Sequence, residues 1–457
     1  MGGVRERERG LPSPPASALT STRPHFSFPP PPSLLSFFNA LRILALSPDP
    51  PSPPPDFARR VEAMWAYGAY ISSPAGCLPR NGDSDRCGSG YSAPVTAYFN
   101  RSDWTYVHSN GQQGSAPAGA ASQGPSSAFP WAGQFALRSS YAANATWLWW
   151  DAGPYGSSYH GHRDKLGLAL HSQGAMLLVD SGRFAYAGSD LSHTLRVQYA
   201  FNASAHNTVA LDGADQLPLP PTASAPLPPA SYTLTPTHDA AYARMDQYAG
   251  LGGRSAHSRA VHYNRGGATA GQDFAVVLDR LEGSLPRALT TYWHSHPNAT
   301  GVGVAAGSLV GQVGGVVGAS GAPAEGVRLC LVPAVPAVPG SGGGEEGGGA
   351  VGAWARADIV RGQMRNDSAG LNFQGWYSNA YDDAWPASVL VYSSAPVPVG
   401  TVFGWLLVPL PASSSAQCSD MHLQLSQSPG EADRWLAQCN LAGAATTVTV
   451  ALGGQVV

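Results

Sequence analysis

The sequence is poor in charge. Only 12% of its 457 residues are Asp, Glu, Lys or Arg, and the formal net charge is −3. Without a cationic surplus there is no bulk attraction to nucleic acid or to an anionic membrane surface, so a polyanionic ligand requires a local basic site. Cysteine is also scarce, at five residues, none of them beside the histidine cluster described below. That excludes a cysteine-ligated zinc site there. Cys77 and Cys87 flank a Gly- and Asp-rich loop, and Cys418 and Cys439 bracket a hairpin-sized segment. Either pair can close a disulfide, which leaves Cys330 alone; spacing does not decide the pairing. No apolar run is long enough to span a bilayer. The Leu34–Leu46 stretch is too short for that and too far from the start for an ordinary signal peptide. No Gly-x-Ser-x-Gly elbow, Walker A motif or dinucleotide glycine fingerprint stands in the strand–helix setting its chemistry needs. No repeat of fixed period is present.

What is abundant is glycine (54), proline (40) and hydrophobic residues (43%). The apolar content suffices for a large core. Much of the Gly and Pro is clustered, so the foldable part is shorter than the full length. Residues 1–55 read as low-complexity, Pro-rich and without a packed core. Asp56 reads as an N-cap, followed at helical spacing by Phe57, Val61, Met64, Trp65 and Ala69, which predicts one helix up to Ser72. Residues 74–132 read as loops. From Gly133 short apolar runs follow one another, separated by turn residues, among them Phe135–Arg138, Ala145–Trp150, Leu166–His171 and Val402–Val408. This texture predicts a mostly β fold, a large antiparallel β-sandwich over 133–457, with surface insertions near 217–230 and 333–352. Sequons at Asn100, Asn144, Asn202, Asn298 and Asn366, with the possible disulfides, point to a secreted glycoprotein.

The chemistry concentrates in Tyr159-His160-Gly161-His162-Arg163-Asp164. On a strand His160 and His162 share a face. Asp180 closes the apolar run Met176–Val179, and His206 opens Ala205-His206-Asn207-Thr208-Val209. Histidines and a carboxylate on separate strand-like segments make a plausible zinc set, His162, Asp180 and His206. A competing set, His162, Asp164 and His206, has the pattern of a non-haem iron oxygenase, but the Arg usual for a keto-acid co-substrate is missing after His206. Aromatics are numerous: Trp104, Tyr106, Tyr155, Tyr159, Tyr186, Trp293, Trp376 and Tyr377 can stack on sugar rings or simply fill the core. Arg163, Arg183 and Arg196 can pair with carboxylates.

These signposts, H-x-H-x-D at 160–164, Leu178-Val179-Asp180-Ser181-Gly182, Tyr186 and Ala-His-Asn-Thr-Val-x-x-Asp-Gly at 205–213, resemble the C-terminal β-sheet domain of heparinase II/III-like polysaccharide lyases. Gly82-Asp83-Ser84-Asp85 and Arg101-Ser102-Asp103-Trp104 resemble the segment joining that domain to a helical toroid, and the 56–72 helix resembles the toroid's last helix. The resemblance implies β-elimination of a uronic-acid polysaccharide, alginate- or glycosaminoglycan-like. It implies one structural Zn2+ held by His162, Asp180 and His206, with His160 at the catalytic face and Arg163 and Tyr186 toward the substrate. A bulge at Gly161 would then have to turn the two histidines apart. It also implies that the main Tyr acid/base and a carboxylate-binding Asn or His come from the toroid. These are not placed on this sequence; Tyr155, Tyr159 and Tyr186 are the tyrosines nearest the cluster. Three readings follow: a lyase-type domain, a non-catalytic zinc-stabilised glycan-binding or structural module, and the oxygenase. The partner in the first two is an acidic glycan, with no nucleic acid and no integral membrane span; oligomeric state is left open.

Overall fold

The computed structural model describes residues 39–40, 56–84, 92–153, 160–217, 225–251, 255–266, 272–305, 307–314, 326–334, 351–367 and 370–453. The expectations for the Pro-rich N-terminus, for the centres of both insertions and for Tyr155 and Tyr159 lie outside these residues.

The fold is mostly β and antiparallel. Five strands form a meander in chain order: Ser127–Phe129, Gln134–Arg138, Trp147–Asp151, Gly167–Ser172 and Ala175–Leu178. An eight-stranded sheet has at its centre Arg328–Pro333, Val402–Leu410, Phe274–Gly283 and Ser255–Asn264. A four-stranded sheet runs Arg356–Arg361, Ser388–Ser393, Leu289–His294, Val209–Leu211, and a three-stranded sheet closes the chain over Met421–Ala451.

Strand alternation explains how these sheets stack. Along Phe274–Gly283, Ala275, Val277 and Leu281 face one core while Phe274, Val276 and Leu278 face another. Along Val402–Leu410, Phe403, Trp405 and Leu407 face the first and Leu406, Val408 and Leu410 the second. The eight-stranded sheet is therefore buried on both faces. The five- and four-stranded sheets cover one side and the three-stranded sheet the other. A Cys330–Cys418 disulfide ties the central sheet to the turn that enters the three-stranded one. This corrects the Cys418–Cys439 alternative: Cys439 is a free, buried thiol whose pKa burial pushes up to about 12. Cys77 is also disulfide-bonded.

The N-terminal helix forms as its periodicity predicts, over Phe57–Ile71, and buries Val61, Trp65 and Ala69. Asp56 does not cap it. Its carboxylate instead meets the Arg59 and Arg60 side chains, at 3.1 and 3.6 Å. The stretch read as loops contains three short helices, Ala93–Tyr98, Ser102–His108 and Ala120–Gln123, and Val95 and Trp104 of the first two pack against the Phe57–Ile71 helix. Arg138 joins this layer to the meander by donating to the Tyr70 and Ser72 carbonyls. Among the described residues no helix is long and apolar enough to cross a membrane.

Candidate functional site

The site lies where the five- and four-stranded sheets meet. Asn207 fixes that junction. Its amide donates to the Leu168 and Val179 carbonyls (2.7 and 2.9 Å), and its oxygen accepts from the His294 backbone N–H at 2.6 Å. From the central sheet Arg259 donates to the Leu166 and Asn207 carbonyls, held in turn by the buried Asp279 carboxylate. The segments carrying the site residues are thus anchored by buried polar contacts, although the residues themselves are on connections.

Around this junction three donors converge. His162 follows Gly161 in a loop, Asp180 comes two residues after strand Ala175–Leu178, and His206 follows a single 3-10 turn at Ala203–Ala205. All three are buried, and one ligand atom from each lies within 4.8 Å of the others. Asp164 is buried nearby but is not part of this group. The expected strand at 160–162 is absent, so no bulge at Gly161 is needed. His162 is buried and His160 stands out into solvent, its side chain 63% exposed.

The protonation pattern within the group is legible from its partners. His206 Nδ1 is 2.6 Å from Asp180 Oδ2, and its Nε2 is 3.0 Å from the Ala200 carbonyl. Both acceptors call for N–H groups, so the ring is an imidazolium. Burial opposes that charge, but Asp180 outweighs it and raises the His206 pKa to about 9. Asp180 is likewise held ionised: burial raises its pKa, while the His206 charge brings it down to about 2. His162 Nδ1 is buried without a hydrogen-bond partner, although its Nε2 is bonded. A buried nitrogen lone pair, a carboxylate and a second imidazole whose proton a metal can displace are a donor set that fits Zn2+. Bound there, zinc would cross-link three chain segments.

Above this group lies Asp83, brought by the loop after the first helix. One carboxylate oxygen is 3.0 Å from His162 Nε2 and the other is 2.7 Å from His160 Nδ1. The Arg196 guanidinium closes the far side with a fork of 2.6 and 2.8 Å. Burial disfavours the Asp83 charge, yet the bonds from His162, Arg196 and His160 prevail and hold its pKa well below the usual carboxylate range. Arg196 begins a π-helical turn, Arg196–Ala200, that continues helix Leu191–Leu195, whose N-terminus Asp190 caps by accepting from the His193 N–H. Such turns place side chains off the regular helical face and recur at functional sites.

The outer surface of the cluster is aromatic, backed by the buried Arg183 and Arg196 guanidiniums. Tyr186, 41% exposed, lies edge-on to His160 with ring centres 5.9 Å apart. Arg196 stacks on the Tyr186 ring at 4.3 Å, and Arg183 stacks on Tyr186 and on exposed Tyr381 at 4.6 and 5.1 Å. Partial burial, then the Asp83 charge, raises the Tyr186 pKa, so its phenol stays protonated.

Of the residues singled out in the sequence, His160, His162, Asp180, His206 and Tyr186 come together. Arg163 does not face this surface in the same way: it bonds to Asn202 at 3.0 Å and lies 3.6 Å from Asp215. Trp104, Trp293, Trp376 and Tyr377 are buried packing residues. Asp83, Tyr381 and Asn207 had no assigned role, and Arg196, singled out as able to pair with a carboxylate, pairs with Asp83. Asp83 sits 79 positions from His162, a separation over which no local periodicity carries a signal.

Fold and site together define a class: a layered antiparallel β domain with a buried His–Asp–His group beneath exposed aromatic rings that stack on buried guanidiniums. Residues 121–333 match the family model described as Heparinase II/III-like, C-terminal. The fold resembles the heparan sulfate lyase HepC from Pedobacter heparinus, with 17% identity and a TM-score of 0.64 over 88% of this chain and 54% of that one. It also resembles the Heparinase III-BT4657 gene product, at 16% identity and TM-score 0.65 over 92% and 57% of the two chains. A third similar structure is titled Heparinase III, at 15% identity and TM-score 0.60 over 87% and 55%. This chain therefore spans about half the length of these solved structures. No curated protein sequence matches it.

Proposed function

We propose that this chain is a polysaccharide lyase-type domain, acting by β-elimination on a uronic-acid-containing acidic polysaccharide. The observation that carries the reading is the division of labour within one H-x-H: His162 is buried against Asp180 and His206, while His160 faces solvent beside Tyr186 and the stacked arginines. β-Elimination needs the uronate carboxylate neutralised, the C5 proton removed and the departing 4-oxygen protonated. His160 donates its Nδ1–H to Asp83, which leaves Nε2 on the open side as a proton acceptor or carboxylate partner. Tyr186 stays protonated and so offers a proton or hydrogen bond rather than a base. Arg183 and the rings of Tyr186 and Tyr381 form a platform suited to the apolar face of a sugar and its anionic groups. His162, Asp180 and His206 hold Zn2+ as a structural cross-link that keeps the H-x-H loop in place. The Cys330–Cys418 disulfide and the exposed sequon residues Asn100, Asn144, Asn298 and Asn366 support a secretory setting.

The test is an ultraviolet-absorbance assay of the zinc-loaded chain on alginate, heparan sulfate and related uronans, since the unsaturated uronate product absorbs and the substrate does not. We expect cleavage of one of these, reduced by about 10²–10⁴-fold in His160→Ala at unchanged zinc content. Binding with no rise in absorbance from a folded, zinc-loaded protein would sink this reading in favour of a glycan-binding module.

A further inference from the structure

We infer that Asp83 is the positioning residue of the site, a single carboxylate that sets the tautomers of both histidines of the H-x-H. Each of its oxygens takes one ring, Oδ1 meeting His162 Nε2 at 3.0 Å and Oδ2 meeting His160 Nδ1 at 2.7 Å. An ionised carboxylate only accepts, so each of these ring nitrogens is an N–H. The consequence is opposite for the two rings. On His162 the proton is fixed at Nε2, which leaves Nδ1 as the lone pair available to the group it forms with Asp180 and His206. That nitrogen is the buried one without a hydrogen-bond partner. On His160 the proton is fixed at Nδ1, which leaves Nε2 bare on the exposed side. One group thus orients a metal ligand inward and a substrate-side imidazole outward.

The surroundings hold Asp83 to this task. Its carboxylate is only 5% exposed, and the Arg196 fork binds both oxygens from the far side. Its backbone N–H donates to the His160 carbonyl at 3.1 Å, so the 81–84 loop and the histidine loop are docked main chain to main chain. Gly82 permits the approach. It has φ +54°, and a Cβ there would run into the His160 carbonyl oxygen. Arg196 also stacks on Tyr186, so the carboxylate, both histidines and the exposed aromatic share one frame.

The role as positioning residue for cleavage rests on the lyase reading; the tautomer and metal readouts do not. The test uses the full chain labelled with 15N in its histidines. In the metal-free protein at mildly alkaline pH, His160 should be the Nδ1–H tautomer and His162 the Nε2–H tautomer. The isosteric Asp83→Asn protein cannot accept from both rings, because one side of its amide is a donor. It should lose this pattern at one ring or the other and bind Zn2+ about 10–100-fold more weakly in a competition titration. Asp83→Glu, with its charge retained, should recover part of that affinity. The opposite tautomer at either ring of the parent protein would overturn the inference. So would a folded Asp83→Asn protein with unchanged tautomers and Zn2+ affinity. Neither measurement involves a polysaccharide, so a chain that cleaves nothing can still confirm the role of Asp83, and an active one can still refute it.

Discussion

At the scale of single residues, the site is a set of protons placed by buried partners. His206 is an imidazolium because both its nitrogens face acceptors, and Asp180 is the anion that permits it. A cation seated there replaces the Nδ1 proton rather than filling a neutral hole, which makes Asp180 indispensable. Asp180→Asn should abolish Zn2+ binding. Adding a chelator should lower the melting temperature of the parent protein and leave that of the variant unmoved, and calorimetry with and without the chelator checks both. At a hundredfold excess of zinc over its dissociation constant, the parent should gain about 2.7 kcal/mol. The residues most legible in the sequence were those in a compact pattern, His160 and His162, or closing an apolar run, Asp180. Asp83 was visible as a letter but not as a partner, and Arg196 as a carboxylate partner whose carboxylate was not identified. What joins them to the histidines is a tertiary contact between loops, and no spacing rule encodes it.

At the scale of elements, the sheets follow from strand alternation, and their boundaries move by only a few residues from those expected. The apolar run Val402–Val408 becomes strand Val402–Leu410, and Phe135–Arg138 becomes Gln134–Arg138. The misses have physical reasons. Helices Ala93–Tyr98 and Ser102–His108 are too short to show a full hydrophobic period and are stabilised by packing on the first helix. Helix Leu191–Leu195 with its π turn is equally short. Strands Met421–Gln427 and Arg434–Leu441 bury one face only, and their exposed polar alternates dilute the apolar signal. The cysteine pairing was not legible because Cys330 and Cys418 are 88 residues apart. Replacing both by serine should cost about 2–5 kcal/mol, read as a lower denaturant midpoint under non-reducing conditions. The strands also carry a pH dependence. Burial lowers the His171 pKa to about 4 and the His262 pKa to about 3, from 6.5. Both are neutral in the folded protein, whereas the unfolded chain protonates them below about 6.5. The unfolded state then binds more protons, so stability is full at neutral pH and falls as pH drops toward 4. His171 alone should account for about 3 kcal/mol of that loss. A His171→Phe protein should show a shallower fall in melting temperature between pH 7 and pH 4 if its packing is kept.

At the scale of the whole molecule, a central sheet buried on both faces backs the five- and four-stranded sheets, and loops at the junction of those two sheets supply the site's chemistry. This arrangement lets a domain keep its buried His–Asp–His group and its outward-facing imidazole in one frame while the connections between strands vary. The chain spans about half the length of the lyases whose fold it resembles, so its own catalytic competence is the point on which the account turns. The decisive measurement is the mass of the products after incubating the zinc-loaded chain with uronic-acid polysaccharides. Elimination yields a fragment with a new unsaturated uronate end, lighter by one water than the matching hydrolysis fragment. The account expects that lighter fragment, and its loss in His160→Ala. Polysaccharide left intact, or fragments carrying the full mass of a hydrolysis product, would contradict it.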